Sequence, residues 1–291
     1  MSNGFKPIGT PSRTVEIMRK HDLHMKKSLG QNFLVEPQIL ENMLVSGQVD
    51  DSTTVIEIGP GIGALTEFLA RHAKKVLAFE IDDRFIGILD DTLSPYDNVQ
   101  VVHQDILSVD FHSSDYEWLH QEEKLLVIAN LPYYITTPIL MKLILSDLPF
   151  QRLVMMMQKE VAERIQASVG TKDYSSLTVA IQNRMDTAIA FMVPPTVFIP
   201  QPNVESAVLV LSRRPEALVE VNDDEAFQVF VQMCFKQRRK TLWNNLRNAY
   251  VNDERSVEEL RALVEEIGID PSRRAETLTI QEFATLYQQL F

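Results

Sequence analysis

Three observations predict an α/β fold followed by a smaller helical unit. Thr54 to Ile58 is β-branched and apolar, opens into Gly59-Pro60-Gly61-Ile62-Gly63, and leads into a stretch of helical character from Ala64 to Ala70. Further apolar runs each close on a polar residue, and Glu80, Asp105 and Asn130 stand 25 positions apart. Beyond about Glu220 the chain reads as short helices. Strands alternating with helices make a parallel sheet covered on its faces, so the expected class is α/β, Rossmann-like, with a small all-α C-terminal domain. The expected divisions are a flexible N-terminus over 1–10, an α/β catalytic domain over 11–219 and a helical domain over 220–291.

Taken in order, the residues before Pro11 read as loosely ordered, and a basic helix then leads to a loop over Gly30 to Leu34. After the first long strand and its glycine turn, Lys75 to Asp82, Val99 to Asp105 and Leu125 to Asn130 read as further buried parallel strands. Arg152 to Gln158 is a fifth, its methionines serving as strand core, with a helix after it through Ala167. Ala188 to Val193 and Ala207 to Leu211 flank a proline-rich loop as a closing pair with one antiparallel strand. Helices are expected around 225–235, 239–250, 257–267 and 280–290, with Gly268 and Pro271 between the last two.

The segment richest in chemistry is Val127 to Tyr134, an apolar strand running into Asn130-Leu131-Pro132-Tyr133-Tyr134. It sets an amide, a backbone carbonyl and aromatic rings at one strand end, which suits a flat base with an exocyclic amine. The N6 nitrogen of adenine is a poor nucleophile because its lone pair is delocalised into the ring. Two acceptors aimed at its hydrogens favour the pyramidal form in which the pair is free. The side-chain oxygen of Asn130 and a carbonyl at Asn130 or Leu131 are the candidates, since Pro132 donates no backbone hydrogen bond and biases Leu131 toward extended geometry. Tyr133 supplies a stacking face. Taken alone, a strand followed by proline is equally a strand-ending turn.

The glycine turn narrows the choice, because a strand, a tight turn and a helix N-terminus form a crevice where a ligand meets backbone closely. Gly59, Gly61 and Ala64 satisfy the dinucleotide fingerprint, and Glu80, 21 positions after Gly59, suits ribose hydroxyls in a nicotinamide enzyme or a methyltransferase alike. Glu57 completes E-x-G-x-G-x-G, which looks like motif I of S-adenosylmethionine enzymes. The amine-directed turn downstream also favours methyl transfer over hydride transfer. Three polar strand ends in a β-α-β series should line one crevice; the competing reading is that the carboxylates cap the next helices.

Over nearly its whole length the chain resembles the ribosomal small-subunit RNA adenine N6,N6-dimethyltransferases. The segments that carry the resemblance are Lys27 to Leu34, Glu57 to Gly63, Asn130 to Tyr134, and Phe198 to Val208 with its F-x-P-x-P-x-V-x-S-A-V pattern. The resemblance implies a seven-stranded S-adenosylmethionine-dependent methyltransferase core. It implies Gln31, Asn32 and Leu34 over the methionine end of S-adenosyl-L-methionine, Gly59 and Gly61 against its backbone, Glu80 at the ribose, Ile81 on the adenine face and Asp105 at the adenine amine. Asn130 would serve both cofactor and target, Leu131 would present its carbonyl, and Tyr133 and Phe198 would sandwich a flipped adenine. Such stacking is worth about 1–3 kcal/mol per base and offsets much of the unstacking. Without the pattern, Phe198 reads as a loop anchor packed on the core. The implied reaction is dimethylation of N6 of two adjacent adenosines in the 3′-terminal hairpin loop of 16S ribosomal RNA, on the assembling small subunit.

Composition fits with one tension. The 291 residues carry a formal net charge of −12 and a pI near 5.0, the opposite of what an RNA partner suggests. The positive charge is clustered, however: Lys26 and Lys27 follow Lys20, and Lys236, Arg238, Arg239 and Lys240 precede Arg247. These are the expected RNA-binding groups, although either cluster alone also reads as a solvated helix face. Cys234, the one cysteine, excludes an internal disulfide and is expected in the core of a protein from a reducing compartment. The six histidines suggest no ligand set, so no metal is expected; His21 and His24 read as surface residues of the first helix. No run approaches the roughly 20 apolar residues of a membrane span, and no signal peptide is evident, so a cytoplasmic monomer is expected.

Two other readings stay open. Methylases that modify a large-subunit adenine and confer macrolide resistance share the core and the Asn-x-Pro-Tyr turn, although Leu131, the second tyrosine and Phe235 to Lys240 look more like the small-subunit family. A ribosome-assembly binding factor, with methylation secondary, is the other. A nicotinamide oxidoreductase ranks behind both.

Overall fold

The computed structural model describes residues 6–23, 32–131, 135–250 and 256–291. Pro11–Lys20 (α1) starts on a proline, tolerated where the first N–H needs no helical partner, and ends on Arg19 and Lys20, which complement the helix dipole. Phe33–Leu34 (β1), Pro37–Gly47 (α2), Thr54–Ile58 (β2), Ala64–His72 (α3), Lys75–Glu80 (β3), Asp83–Thr92 (α4) and Val99–His103 (β4) follow. Next come Leu125–Asn130 (β5), Thr136–Leu145 (α5), Phe150–Gln158 (β6), Lys159–Ile165 (α6), Ser176–Arg184 (α7), Met185–Val193 (β7), Phe198–Ile199 (β8) and Ser206–Arg213 (β9). The C-terminal helices are Asp224–Cys234 (α8), Leu242–Tyr250 (α9), Val257–Glu266 (α10) and Ile280–Leu290 (α11).

Seven strands form one sheet in the order β4-β3-β2-β5-β6-β9-β7, matching the expected architecture. From β4 to β6 all neighbours are parallel, and β9 returns antiparallel to β6. Every residue of the central strand β2 is buried, as a strand covered on both faces requires, whereas the edge strand β4 is only partly covered. Met155, Met156 and Met157 are core residues of β6, as their pattern suggested.

Register decides where the strand ends fall. Ile58 lies opposite Phe79 on one side and Ala129 on the other, so Gly59, Glu80 and Asn130 leave three adjacent strands at one level. Glu80 pairs with His103, which brings Gln104 and Asp105 to the same edge.

The chain divides into two compact units, residues 1–162 with 188–213 and residues 163–187 with 214–291. The second unit therefore begins earlier than the expected boundary at 220, because Tyr174 and Val179 bury their side chains in one cluster with Phe227, Phe230 and Leu242. The expectation of a flexible stretch over 1–10 is corrected for residues 6–10; residues 1–5 lie outside the described chain. Ile8 is buried, its N–H donates to Glu67 Oε2 at 2.8 Å, and its carbonyl accepts from the Thr14 hydroxyl at 2.9 Å. The helix expected from Arg239 starts instead at Leu242, because residues 235–240 form a turn.

Candidate active site

In the first unit the strand ends open onto a cavity of about 420 Å³, lined by the glycine turn, Glu80, Asp105, Asn130 and the loops beside them. Gly59 has a positive φ of 69°, and a Cβ added there would meet nothing within 4 Å, so the turn leaves its backbone open to a ligand. Gly63, at φ 90°, caps α3 against Leu93, whose side chain a Cβ would crowd at 3.1 Å.

Glu80 is 4% exposed, and its two oxygens accept from the N–H groups of Gly61 at 3.1 Å and Asp82 at 2.8 Å. Burial raises its pKa, while those two N–H groups work the other way. The carboxyl is thus fixed in place before any ligand arrives. Asp105 meets both of its sequence readings: Oδ1 accepts from Leu107 N–H at 2.9 Å and so caps a short 3₁₀ turn, yet the residue lines the cavity. The dedicated helix cap at the neighbouring strand end is Asp82, not Glu80.

Asn130 and Leu131 line the cavity at the end of β5. Opposite register pairs β1 with β8, Phe33 with Ile199 and Leu34 with Phe198, and Val35 N–H donates to Val197 at 2.8 Å. This short ribbon ties the N-terminal loop to the proline-rich loop. It brings Asn32 and Leu34 to the same cavity as Phe198, which is 2% exposed. Among the described residues expected at the cofactor, Ile81, at 58% exposure, is the one that stands largely open at the cavity wall. Gln31, Lys26, Lys27 and Tyr133 lie outside the described residues, as does His24.

Sequence reasoning missed one contributor. Tyr116 donates its hydroxyl to Gln104 Oε1 at 2.7 Å, which holds the Gln104 amide beside Asp105 at the cavity. A glutamine immediately before the strand-end aspartate was the only local signal. Glu57, read from the sequence only as part of the glycine motif, lines the cavity, is buried, and has an Oε2 without a hydrogen bond; burial pushes its pKa up to about 8.

The donor set suits a nucleoside joined to an amino acid. Carboxylates at two strand ends match ribose hydroxyls and an exocyclic amine, an open glycine turn admits a chain against backbone, and the unpartnered Glu57 oxygen is open to one further hydrogen bond. The cavity volume lies within the range that encloses a ligand of that size.

In the second unit, Lys236, Arg238, Arg239 and Lys240 are exposed on the turn between α8 and α9, and Arg247 is exposed on α9. Arg238 donates to the Lys172 carbonyl. The turn is shaped from beneath by Asn245, 4% exposed, which accepts from Gln237 N–H at 2.9 Å and donates to the Gln237 carbonyl at 3.3 Å. Cys234 is buried in the core of this unit, and that burial raises its pKa. His21, at the end of α1, is bound to Asp91 at 3.0 Å. No helix among the described residues is long and apolar enough to cross a membrane.

The model of the family described as ribosomal RNA adenine dimethylase matches residues 22–290. A ribosomal RNA small subunit methyltransferase A of Enterococcus faecalis is 52% identical over 286 residues, spanning 98% of this chain and 97% of that protein. Among solved structures, the chain is similar to a dimethyladenosine transferase from Plasmodium falciparum, with TM-score 0.71 and 26% identity over 86% of this chain and 94% of that one. It is also similar to the 23S rRNA methyltransferase ErmE, with TM-score 0.61 and 26% identity over 88% of this chain and 98% of that one.

Proposed function

Because the chain belongs to the ribosomal RNA adenine dimethylase family, we propose that it dimethylates N6 of two adjacent adenosines in the 3′-terminal hairpin loop of 16S ribosomal RNA, using S-adenosylmethionine. The observation that carries this reading is the alignment of Gly59, Glu80, Asp105 and Asn130 at one end of the sheet, beside Leu131 and Phe198. The 52% identical relative is a small-subunit methyltransferase, which favours small-subunit over large-subunit RNA.

When bound, S-adenosylmethionine supplies a methyl group already activated on a sulfonium. Glu80 accepts the ribose hydroxyls, Ile81 covers the adenine face and Asp105 accepts the adenine amine with the oxygen that Leu107 leaves open. Gly59 and Gly61 admit the chain of the ligand against backbone, with Gln31, Asn32 and Leu34 over its methionine end. Asn130 and the Leu131 carbonyl accept the two N6 hydrogens of the target and release its lone pair, while Tyr133 and Phe198 hold the flipped ring. The contribution is positioning, and no strong base is needed, since the proton leaves the product ammonium for solvent.

A second methylation constrains the same pocket. The monomethylated amine has one N–H left and satisfies one of the two acceptors, so the amine must turn and the pocket must admit a methyl where a hydrogen sat. Lys236, Arg238, Arg239, Lys240 and Arg247, with Lys26 and Lys27, hold the RNA backbone, and the protein acts as a cytoplasmic monomer on the assembling particle. The test is transfer of labelled methyl to unmethylated small subunits, large subunits and free RNA, followed by nuclease digestion and mass mapping. N6,N6-dimethyladenosine at two neighbouring small-subunit positions is expected. Label in the large subunit moves the protein to the resistance class, and no label in any substrate makes it a binding factor.

A further inference from the structure

We propose that His112, His120 and Asp147 form a binding site for a divalent transition-metal ion of the zinc type, separate from the cofactor cavity. A ligating atom of each residue lies within 4.8 Å of those of the other two, and His112 Nε2 is 3.3 Å from Asp147 Oδ2. Tetrahedral coordination with bonds of about 2.0–2.2 Å sets donor atoms roughly 3.3–3.6 Å apart. One pair already meets that spacing. The wider separations close by side-chain rotation, for which His112 and Asp147, at 68% and 59% side-chain exposure, have room.

The orientation of His120 argues for a ligand and against a chance surface pair. Its Nε2 lies 3.2 Å from the Phe111 carbonyl, which can only accept, so the ring carries its proton on Nε2 and its lone pair on Nδ1. A ring N–H bonded to a carbonyl is the usual outer partner of a metal-ligating histidine. The two imidazoles also lie nearly parallel, with centroids 5.1 Å apart and planes at 16°. Two imidazoles and one carboxylate select zinc, nickel or copper over magnesium or calcium, which prefer all-oxygen sets.

The place of the cluster gives it a consequence. His112 and His120 belong to the connection that leaves Asp105 for β5, and Asp147 follows α5, the next helix after β5. Lys142 of α5 already donates to the carbonyls of Leu107 at 3.1 Å and Val109 at 2.8 Å, so these two segments are spaced before any ion binds. A bound ion would add a second clamp between the segments that follow the adenine end and the target end of the cavity. None of the three residues lines the cavity itself.

The test is titration of the full chain, freed of metal by chelation, with zinc chloride against a chromophoric chelator, with Tm recorded at each step. We expect one equivalent bound per chain and a rise in Tm of a few degrees at saturation. The double variant His112→Gln/His120→Gln should lose at least about tenfold in zinc affinity and lose the Tm rise. Asp147→Asn should weaken binding independently, while His21→Gln, which removes a histidine paired with Asp91, should not. The zinc-free Tm of each variant distinguishes loss of the site from loss of the fold. Absence of a bound equivalent, or zinc affinity unchanged in both the double variant and Asp147→Asn, overturns the proposal.

Discussion

In the first unit Glu80 is 4% exposed with both carboxylate oxygens held by backbone N–H groups, whereas in the second unit Lys236, Arg238, Arg239 and Lys240 stand exposed on one turn. The first arrangement fixes a few atoms in a partly dry cavity, where an electrostatic interaction is strong and a misplaced group is costly. The second offers long, solvated side chains of the kind that would act through the ionic atmosphere of RNA and tolerate changes of angle. A reaction that needs only alignment puts its energy into the first kind of surface and its grip into the second. The net charge of −12 is no obstacle, because local clusters and not the total decide where phosphate settles.

The largest effect should come from Asn130, the amide proposed to face the target amine. Asn130→Ala removes one of the two proposed N6 acceptors, and losing one transition-state hydrogen bond in such a site costs about 2.7–4 kcal/mol, or about 10²–10³ in rate. Single-turnover methyl transfer should fall by that factor, while filter binding of RNA changes little. A rate within tenfold of the wild type would remove Asn130 from the reacting centre and break the contrast at its sharper end.

Glu57 tests the cost of building the cavity. Its pKa is pushed up to about 8 in the folded protein, against an ordinary value of 4.5, because burial penalises the charged form. Below about pH 4.5 the carboxyl is protonated whether the chain is folded or not, so it has no effect on the pH dependence. As pH rises from there to about 8, the unfolded chain gives up this proton and the folded chain keeps it, so stability falls across that window. Glu57→Gln should therefore flatten the urea midpoint between pH 5 and 8 and stabilise the protein at pH 8 by an amount on the order of a few kcal/mol. Parallel pH profiles for the two proteins would show instead that Glu57 is ionised in the fold.

Much of the first unit was legible because its signals are local and periodic. Buried strands read as apolar runs, and the spacing of Glu80, Asp105 and Asn130 followed from strands and crossovers of similar length. The β1–β8 ribbon was not legible, since strands of two residues carry no periodicity and the pairing joins Leu34 to Phe198, 164 positions later. Nor was the assignment of 163–187 to the second unit, which depends on where Tyr174 and Val179 are buried and not on any break in composition. Capping and ligand binding at Asp105 looked like alternatives in one dimension, yet one carboxylate has two oxygens and can do both. His112, His120 and Asp147 escaped notice for a related reason: the acid is 27 residues from the nearer histidine, so no sequence spacing announces the set.

The smallest effects per residue belong to the basic turn, and they should differ in kind as well as size. Each lysine or arginine that neutralises a phosphate contributes about 0.7–0.9 to the slope of log affinity against log salt. Replacing Lys236, Arg238, Arg239 and Lys240 by alanine should lower that slope by up to about 3.6, with weakening that is similar for different RNA sequences. Cofactor affinity should not follow it. Asn245→Ala sharpens the point, because it deletes no charge but removes the amide that bonds Gln237 from both sides. If the turn's shape matters, this variant weakens RNA binding with the salt slope intact; if the charges act as a loose cloud, binding stays within error of the wild type. Salt titrations of RNA affinity on the two variants separate a shaped contact from an electrostatic one.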